Sequence, residues 1–388
     1  MPEDVRMLTG PERLLATCLS ALLAAGSVSV AMLGPASRQV PTAQRAVSAD
    51  ALRPALGPAP TPSAVPAAPA TPPPNPKLKV APQAQSAPAR IPAQPPQHGC
   101  PVPKRPAGKP YAPKPLPAPT VADEDLPPAL PAGPKAASLD PLRGKGVWVT
   151  NFKQTPVDVT GIVKQAKDAG LQSIWVRTGG RQGYYGDQFL PQLVPAAHAA
   201  GVKVIGWDFP FLSDPAADAD RGRRAYADGV DAFAPDIETT AEGTHATPQR
   251  VALYLSLVRS YAGTRPIAAT VPRPTPKRLA SFPYASFAAY ADVFVPMIYW
   301  SCNEPGRLVA QSLTQLGRWL PVAPVGQAYD MGEEGGRRGL PTGAETARFL
   351  DVARRGGAVG ASLWTVERMG ADQLAALSNY RWNSIPRD

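Results

Sequence analysis

The sequence is poor in histidine and cysteine, with only three of each among 388 residues. The histidines, His98, His198 and His245, do not have the spacing of a metal site, so we predict neither a metal nor another cofactor. The sequence also lacks the Gly-rich loop of nucleotide-binding proteins and the Gly-x-Ser-x-Gly turn of serine hydrolases. These absences argue against metal-dependent, nucleotide-dependent and serine-dependent catalysis.

The three cysteines fit either redox compartment. Cys18 lies inside an apolar run, whereas Cys100 and Cys302 could pair if the chain is outside the cell, although Cys100 falls in the proline-rich segment. The net charge of +10 is spread along the chain and forms no dense basic patch. We therefore predict no nucleic-acid partner.

The N-terminal part begins with a polar segment, 1–13, which is followed by twenty uncharged residues, 14–33. Such a run is long enough to cross the ~30 Å hydrocarbon core of a bilayer, so we predict a transmembrane anchor that makes the membrane a partner. A cleaved signal peptide ending near Ser37 is the competing interpretation, and a buried helix is the third. Either of the first two predicts an extracytoplasmic protein, anchored or secreted at the bacterial envelope.

Proline is abundant instead, and more than half of the 50 prolines lie between Gly34 and Asp140. Proline removes backbone donors and large apolar side chains are few there, so we predict a disordered Pro/Ala-rich linker over 34–140. Its expected role is a stalk that carries a domain into the cell wall. A binding site for proline-recognising modules is the alternative.

The remainder, 141–388, predicts one folded domain with a repeating pattern. Short β-branched or aromatic runs alternate with helical stretches, and the runs recur about every 30 residues. The eight predicted strands are 146–152, 173–178, 202–209, 232–238, 266–271, 293–300, 322–329 and 358–366. Eight strand-helix units predict an α/β fold of the (β/α)8 TIM-barrel type. A doubly wound open sheet is the alternative, but no Gly-rich phosphate turn follows the first strand.

Two helices show informative local signals. Thr342 with Glu345 predicts a capping box at the start of one of them. Pro191 and Pro195 would break a helix early in 187–200, so we predict that this helix starts late.

Carboxylates follow two of the predicted strands. Strand four ends in Asp236-Ile237-Glu238, and alternation places both acids about 6.6 Å apart on the face opposite Ile237. If the apolar residues pack on helices, Asp236 and Glu238 point into the barrel mouth, where active sites of this fold lie. Strand three ends with Asp208, which shares the parity of Val204 and is predicted to face the lumen as well.

Aromatic and polar residues follow other strands, namely Tyr299, Gln327, Tyr329 and Trp364. Aromatic rings stack on the C–H faces of a sugar while polar groups bond to its hydroxyls, so we predict a sugar-binding site. Arg177, at the end of strand two, is a candidate for orienting a carboxylate or a substrate acid group. The glycine- and arginine-rich loop 335–339 is either an anion site or a solvated loop.

The stretch 174–209 (IWVRTGGRQGYYGDQFLPQLVPAAHAAGVKVIGWDF), followed by Asp236-Ile237-Glu238, resembles the layout of the glycoside hydrolase family 25 lysozymes, the Chalaropsis-type muramidases. The resemblance implies Glu238 as acid and Asp236 as its carboxylate partner. Trp148 stands where that family has an aspartate, and it joins the predicted substrate-binding residues. Met297-Ile298-Tyr299 and Trp364 resemble strands six and eight of family 18 chitinases instead.

Together these features predict an extracytoplasmic glycoside hydrolase that acts on a cell-wall or extracellular polysaccharide, peptidoglycan included. Glu238 donates a proton, Asp236 stabilises charge or orients an N-acetyl group, and Asp208 serves as base or nucleophile. A barrel that binds a glycan without cleaving it is the alternative, favoured by Trp148. A third interpretation is a barrel enzyme acting on a phosphorylated or acyl substrate through Arg177 and the loop 335–339. The oligomeric state is left open.

Overall fold

The structure, a computed structural model, describes residues 118–150, 158–334 and 336–382. The predictions for 1–13, for the apolar run 14–33 and for the linker up to residue 117 lie outside these residues. In the part of the chain that is described, no helix is both long and apolar enough to cross a membrane.

Eight parallel strands form the centre of the fold. They are β1 (Gly144–Val149), β2 (Ser173–Arg177), β3 (Lys203–Asp208), β4 (Ala232–Pro235), β5 (Ala268–Pro272), β6 (Val293–Ile298), β7 (Val325–Gln327) and β8 (Gly360–Trp364). Their spatial order is β4-β3-β2-β1-β8-β7-β6-β5. Bridges between Phe233 and Ile267 and between Asp236 and Thr270 join β4 to β5 and close the ring. The predicted (β/α)8 barrel is therefore confirmed for the described residues.

A helical segment follows every strand. The helices are α1 (Val159–Asp168), α2 (Leu190–Ala199), α3 (Pro215–Ala227), α4 (Pro248–Ala262), α5 (Pro276–Ser281), α6 (Tyr284–Phe287), α7 (Pro305–Leu316), α8 (Gly343–Arg355) and α9 (Ala371–Asn379). Side chains accept hydrogen bonds from first-turn amides at several starts, for example Asp214 on α3 and Glu304 on α7. The predicted capping box of Thr342 and Glu345 is present on α8.

Helix α2 corrects one prediction. It begins at Leu190 rather than late in 187–200, with Pro191 in its first turn and Pro195 inside it. A proline in the first turn loses nothing, because the amides there have no partner within the helix. Pro195 lies near enough to the start that it removes a single early hydrogen bond.

The strands separate two apolar layers by alternation. Val147, Ile174 and Val204 point outward and pack under the helices. Their neighbours point inward and fill the barrel, and four of these inward residues are tryptophans: Trp148, Trp175, Trp207 and Trp364. Trp148 stacks on Trp175 at 4.8 Å between ring centroids and contacts Trp364 at 5.5 Å. The lumen is thus solid up to the carboxyl ends of the strands.

Residues 118–140 pack along the outside of the barrel. The Leu130 amide donates to Ser256 Oγ at 3.0 Å, and Lys135 Nζ donates to the Ala288 carbonyl at 2.8 Å. The guanidinium of Arg250, which is 1% exposed, pairs with Asp123 at 2.5 Å. Asp123 and Leu130 thus supply polar partners to buried groups of α4. The last part of the predicted linker over 34–140, residues 118–140, therefore contacts the folded domain.

The loop after β6 contains a disulfide-bonded cysteine, Cys302. The chain has only two other cysteines, Cys18 and Cys100, and both lie outside the described residues.

Candidate active site

A cavity of about 490 Å³ opens at the carboxyl ends of β4 to β8. It is lined by Asp236, Glu238, Glu242, Pro272, Arg273, Arg278, Met297, Tyr299, Tyr329, Met331, Glu334 and Trp364. The volume is in the range of small-ligand sites, and the position is the one at which barrel enzymes carry their chemistry. No cluster of acidic, histidine or cysteine residues suited to a metal ion is found among the residues that the structure describes.

Asp236 and Glu238 lie side by side in this cavity because they extend the inward face of β4. Ala232 and Ala234 precede them on that face, whereas Phe233 and Ile237 pack outward under the helices. The Asp236 amide donates to the Asp208 carbonyl at 2.9 Å, and the Ile237 amide donates to the Thr270 carbonyl at 3.0 Å. These two bonds hold the strand end between β3 and β5. The predicted orientation of both acids into the barrel mouth is what the structure shows.

Burial raises the pKa of both carboxyls. Loss of water around Asp236, helped by the nearby charge of Asp208 and opposed by Arg177, raises its pKa to about 7. Burial also raises the pKa of Glu238 well above its ordinary value, with further contributions from Asp236 and Glu242. Asp236 Oδ1 is buried and has no hydrogen-bond partner among the described residues. The pair therefore retains a proton at a pH at which ordinary carboxyls have lost theirs.

We expect this proton to make the stability of the fold depend on pH. Since the pKa of Asp236 is near 4 in the unfolded chain and about 7 in the fold, the folded state binds more protons between these values. Its stabilising contribution is complete below pH 4 and is lost as the pH rises through 7. Between pH 4 and pH 7 the free energy of unfolding, measured with denaturant, should fall by more in the unmodified protein than in Asp236→Asn. We expect this difference to exceed about 1.4 kcal/mol, the equivalent of one pKa unit. Parallel pH profiles of the two proteins would contradict the proposed protonation.

The aromatic side chains predicted to bind sugar meet at the same cavity. Tyr299 and Tyr329 form an edge-to-face pair with ring centroids 5.5 Å apart. The Tyr329 hydroxyl donates to Glu334 Oε2 at 2.9 Å, which fixes the ring. Trp364 completes the aromatic wall at the end of β8, and the peptide bond that follows it is cis. A wall of this kind offers apolar faces beside carboxylates, which suits a sugar ring.

Two of the predicted substrate-binding residues lie beneath the cavity instead. Trp148 is fully buried in the lumen, and its Nε1 donates to Ser362 Oγ at 2.8 Å. Gln327 is also fully buried; it accepts from the Ser301 amide at 2.7 Å and donates to the Tyr329 carbonyl at 2.9 Å. Contact with a substrate requires exposure, so both residues support the site from below.

Asp208 is the clearest correction. On β3 the inward residues are Ile205 and Trp207, so Asp208 belongs to the outward set with Val204. It is fully buried, and its Oδ2 accepts from Arg221 Nε on α3 at 2.6 Å. Asp208 therefore does not line the cavity and has no path to a substrate as a base or nucleophile. It acts on the site through its charge, which raises the pKa of Asp236.

Arg177 extends the inward face of β2 but does not line the cavity. Its guanidinium lies 5.3 Å from the centroid of the Trp207 ring, and Nε donates to the Gly179 carbonyl at 3.2 Å. Its positive charge opposes the rise in the pKa of Asp236. The predicted orienting role toward a carboxylate is thus electrostatic in this geometry.

Several donors of the loop 336–339 are bonded within the protein. The Arg337 amide donates to Ser301 Oγ, and its guanidinium pairs with Glu345 at 2.8 Å. The Gly339 amide donates to Asp330 Oδ2 at 2.8 Å. Of the two predictions for this loop, these contacts favour a solvated loop with internal hydrogen bonds over an anion site.

Four charged residues of the cavity escaped the sequence-based prediction: Glu242, Arg273, Arg278 and Glu334. They belong to the segments that follow β4, β5 and β7, and Arg278 lies in α5. In these connecting segments the alternation of a strand gives no direction for a side chain. One signal was present, because Arg273 comes directly after β5 and stands between Pro272 and Pro274. A charged residue held between prolines at a strand end is a position worth testing in any predicted barrel.

The chain is similar to known proteins in structure, but the comparisons of its sequence found no match. No family model matches the chain, and no curated protein matches it. Among solved structures, the spore cortex-lytic enzyme SleL of Bacillus megaterium is 9% identical, with a TM-score of 0.46 over 62% of this chain and 74% of that one. A class V chitinase of Pseudomonas fluorescens is 13% identical, with a TM-score of 0.45 over 61% and 98%.

A thiamine phosphate pyrophosphorylase of Pyrococcus furiosus is also similar, at 12% identity and a TM-score of 0.39 over 62% of this chain and 95% of that one. Glycoside hydrolases with barrel folds are thus among the similar structures, next to an enzyme of another class. At these levels the barrel assignment rests on the strand order of this chain itself. The comparisons do not single out the family 25 lysozymes.

Proposed function

We propose that the chain is a glycoside hydrolase that acts on a cell-wall or extracellular polysaccharide. One observation carries this proposal: Asp236, which is buried, and Glu238, which is partly exposed, lie together with raised pKa values in a cavity whose walls include Tyr299, Tyr329 and Trp364. Hydrolysis of a glycosidic bond needs a carboxylic acid that holds its proton near neutral pH and a second carboxylate close to it. The cavity supplies both next to surfaces for sugar rings.

In this proposal Glu238 is the general acid. Burial, Asp236 and Glu242 all favour its protonated form, which is the form that can donate. Glu238 transfers its proton to the leaving glycosidic oxygen as the bond to the anomeric carbon breaks. The Arg278 charge acts in the opposite direction, so that the carboxylate formed by this transfer is also stabilised.

Asp236 is the partner carboxyl. It lies deeper, at 6% exposure, and Oδ1 has no protein partner among the described residues. In its ionised form it stabilises the positive charge that develops on the sugar ring, or it accepts from the amide of a substrate N-acetyl group. Asp208 does not reach the cavity, so these two roles leave the attack to the substrate's own acetamido oxygen or to a water molecule. An attacking water gives its proton to the Glu238 carboxylate that remains after the leaving group has taken the first proton.

The site of action that we propose is the cell envelope, with peptidoglycan as a candidate substrate by the family 25 resemblance. The disulfide of Cys302 supports an oxidising compartment, because disulfides persist mainly outside the cytosol. The apolar run 14–33 would then deliver the chain across the membrane as an anchor or a signal peptide.

The test is release of new reducing ends when the full chain is incubated with purified peptidoglycan and a panel of cell-wall and extracellular glycans. We expect release from at least one polymer that depends on the enzyme and increases with time. Products separated by chromatography would then identify the linkage. No release from any polymer would reject hydrolysis for these substrates.

A glycan-binding barrel without hydrolytic activity is the second candidate. The sequestration of Asp208 by Arg221 favours it, because one of the three predicted catalytic carboxylates is absent from the cavity. Co-sedimentation of the chain with a polymer that it does not cleave would support this candidate. The reducing-end assay therefore separates the two functions.

A further inference from the structure

The cavity contains an arginine, Arg273, that has no ion-pair partner among the described residues. Arg273 is half-buried in its wall, and its guanidinium makes no hydrogen bond or ion pair with any described residue. Burial lowers the pKa of Arg273, the cations Arg278 and Arg307 lower it further, and Tyr284 acts in the opposite direction. An arginine stays charged in proteins, so this partly desolvated group keeps a positive charge that no ion pair with a described residue offsets.

None of the four acids that line the cavity forms an ion pair with Arg273. Burial raises the pKa values of Asp236 and Glu238, so that this pair of carboxyls retains a proton and does not carry its full negative charge. Glu242 Oε1 lies 3.7 Å from the Arg278 guanidinium. Glu334 accepts from the Tyr329 hydroxyl at 2.9 Å. Arg273 is thus left as the charged side chain of this cavity without an opposite partner among the described residues.

The position of Arg273 is rigidly defined by its neighbours. Pro272 and Pro274 restrict the backbone on both sides. The Tyr284 hydroxyl donates to the Pro272 carbonyl at 2.8 Å, and the Arg278 guanidinium donates to the Arg273 carbonyl at 3.4 Å. A guanidinium presented on such a support loses little freedom when it binds an anion in a bidentate manner.

We propose that Arg273 binds the negatively charged substituent of a sugar residue in the cavity, so that the substrate is an anionic glycan. A carboxylate, as in a uronic acid, and a phosphate ester share the required chemistry. This inference rests on the proposed function, since it assigns a substrate class to the same site. It makes Arg273 a specificity-determining residue that lies beside the acid pair.

The test measures binding, and it uses the full chain carrying Glu238→Gln so that hydrolysis is too slow to disturb the titration. One arm compares a hyaluronan tetrasaccharide with its carboxyl-reduced analogue, and the other compares mannose 6-phosphate with mannose, both by titration calorimetry. We expect at least one anionic probe to bind about tenfold or more tightly than its neutral counterpart. The arm that shows the preference identifies the substituent.

The preference should disappear in Arg273→Gln and persist, weakened, in Arg273→Lys, which keeps the charge but loses the fork. Lys277→Gln is the matched control, because it removes one charge from an exposed position of the same segment and should leave the preference unchanged. Equal binding of anionic and neutral probes, no binding of either anionic probe, or a preference that survives Arg273→Gln would overturn the proposal. Because the readout is binding, a failed reducing-end assay rejects hydrolysis and leaves this result standing.

Discussion

Replacing Glu238 with glutamine should lower the rate of glycan hydrolysis by about 10²–10⁴-fold, the usual contribution of a general acid. Glutamine has nearly the same shape and cannot donate a proton to the leaving oxygen. Glu238 is a partly exposed residue of the cavity wall. Because glutamine keeps its shape, substrate affinity should change little while the turnover number falls. Reducing-end release under saturating substrate, compared with the unmodified chain, measures the effect.

Glu124→Gln is the control for this experiment. Glu124 is exposed, lies in the segment that packs outside the barrel, and does not line the cavity. The same chemical change there should leave the rate unaltered. A Glu238→Gln protein that retains the rate of the unmodified chain would remove Glu238 from the mechanism. The two variants together separate the effect of removing the Glu238 carboxyl from any general effect of a glutamate-to-glutamine change.

Replacing Arg221 with leucine should destabilise the fold by about 3–5 kcal/mol, the cost of breaking a buried ion pair from one side. The Arg221 guanidinium binds Asp208 at 2.6 Å and Asp218 at 2.8 Å, and both carboxylates are buried. Burial raises the pKa of each, and Arg221 is the main opposing charge. Without it, two carboxylates face each other in an apolar layer. Urea unfolding at neutral pH measures the loss.

The same helix offers a matched control. Arg223 pairs with Asp220 at 2.6 Å, but both side chains are about half exposed. Arg223→Leu should therefore cost less than about 1 kcal/mol, as exposed pairs do. The loss in Arg221→Leu should also shrink at acidic pH, where protonation removes the repulsion between the two acids. Equal losses in the two variants would show that the buried network contributes nothing beyond an ordinary surface pair.

The two carboxylates at strand ends show why sequence patterns succeed at one position and fail at another. The contrast with Phe233 and Ile237, large apolar residues that pack under the helices, predicts the inward orientation of Asp236 and Glu238. Asp208 follows Trp207, and either residue of that pair could have pointed inward from alternation alone. The tryptophan points inward, where its ring makes tilted and edge-on contacts with Trp148 and Trp364.

Local sequence determined the eight repeats, the strand positions, the capping box of α8 and the acid pair at the end of β4, since each depends on neighbours a few residues apart. Only the tertiary structure decided the fate of Trp148, which fills the lumen, and of Asp208, which α3 captures through Arg221. It also decided that Arg273 lies in the cavity without an opposite charge. These outcomes depend on which side chains from distant segments compete for the same space and the same partner. Such competition is settled when the ring of strands closes.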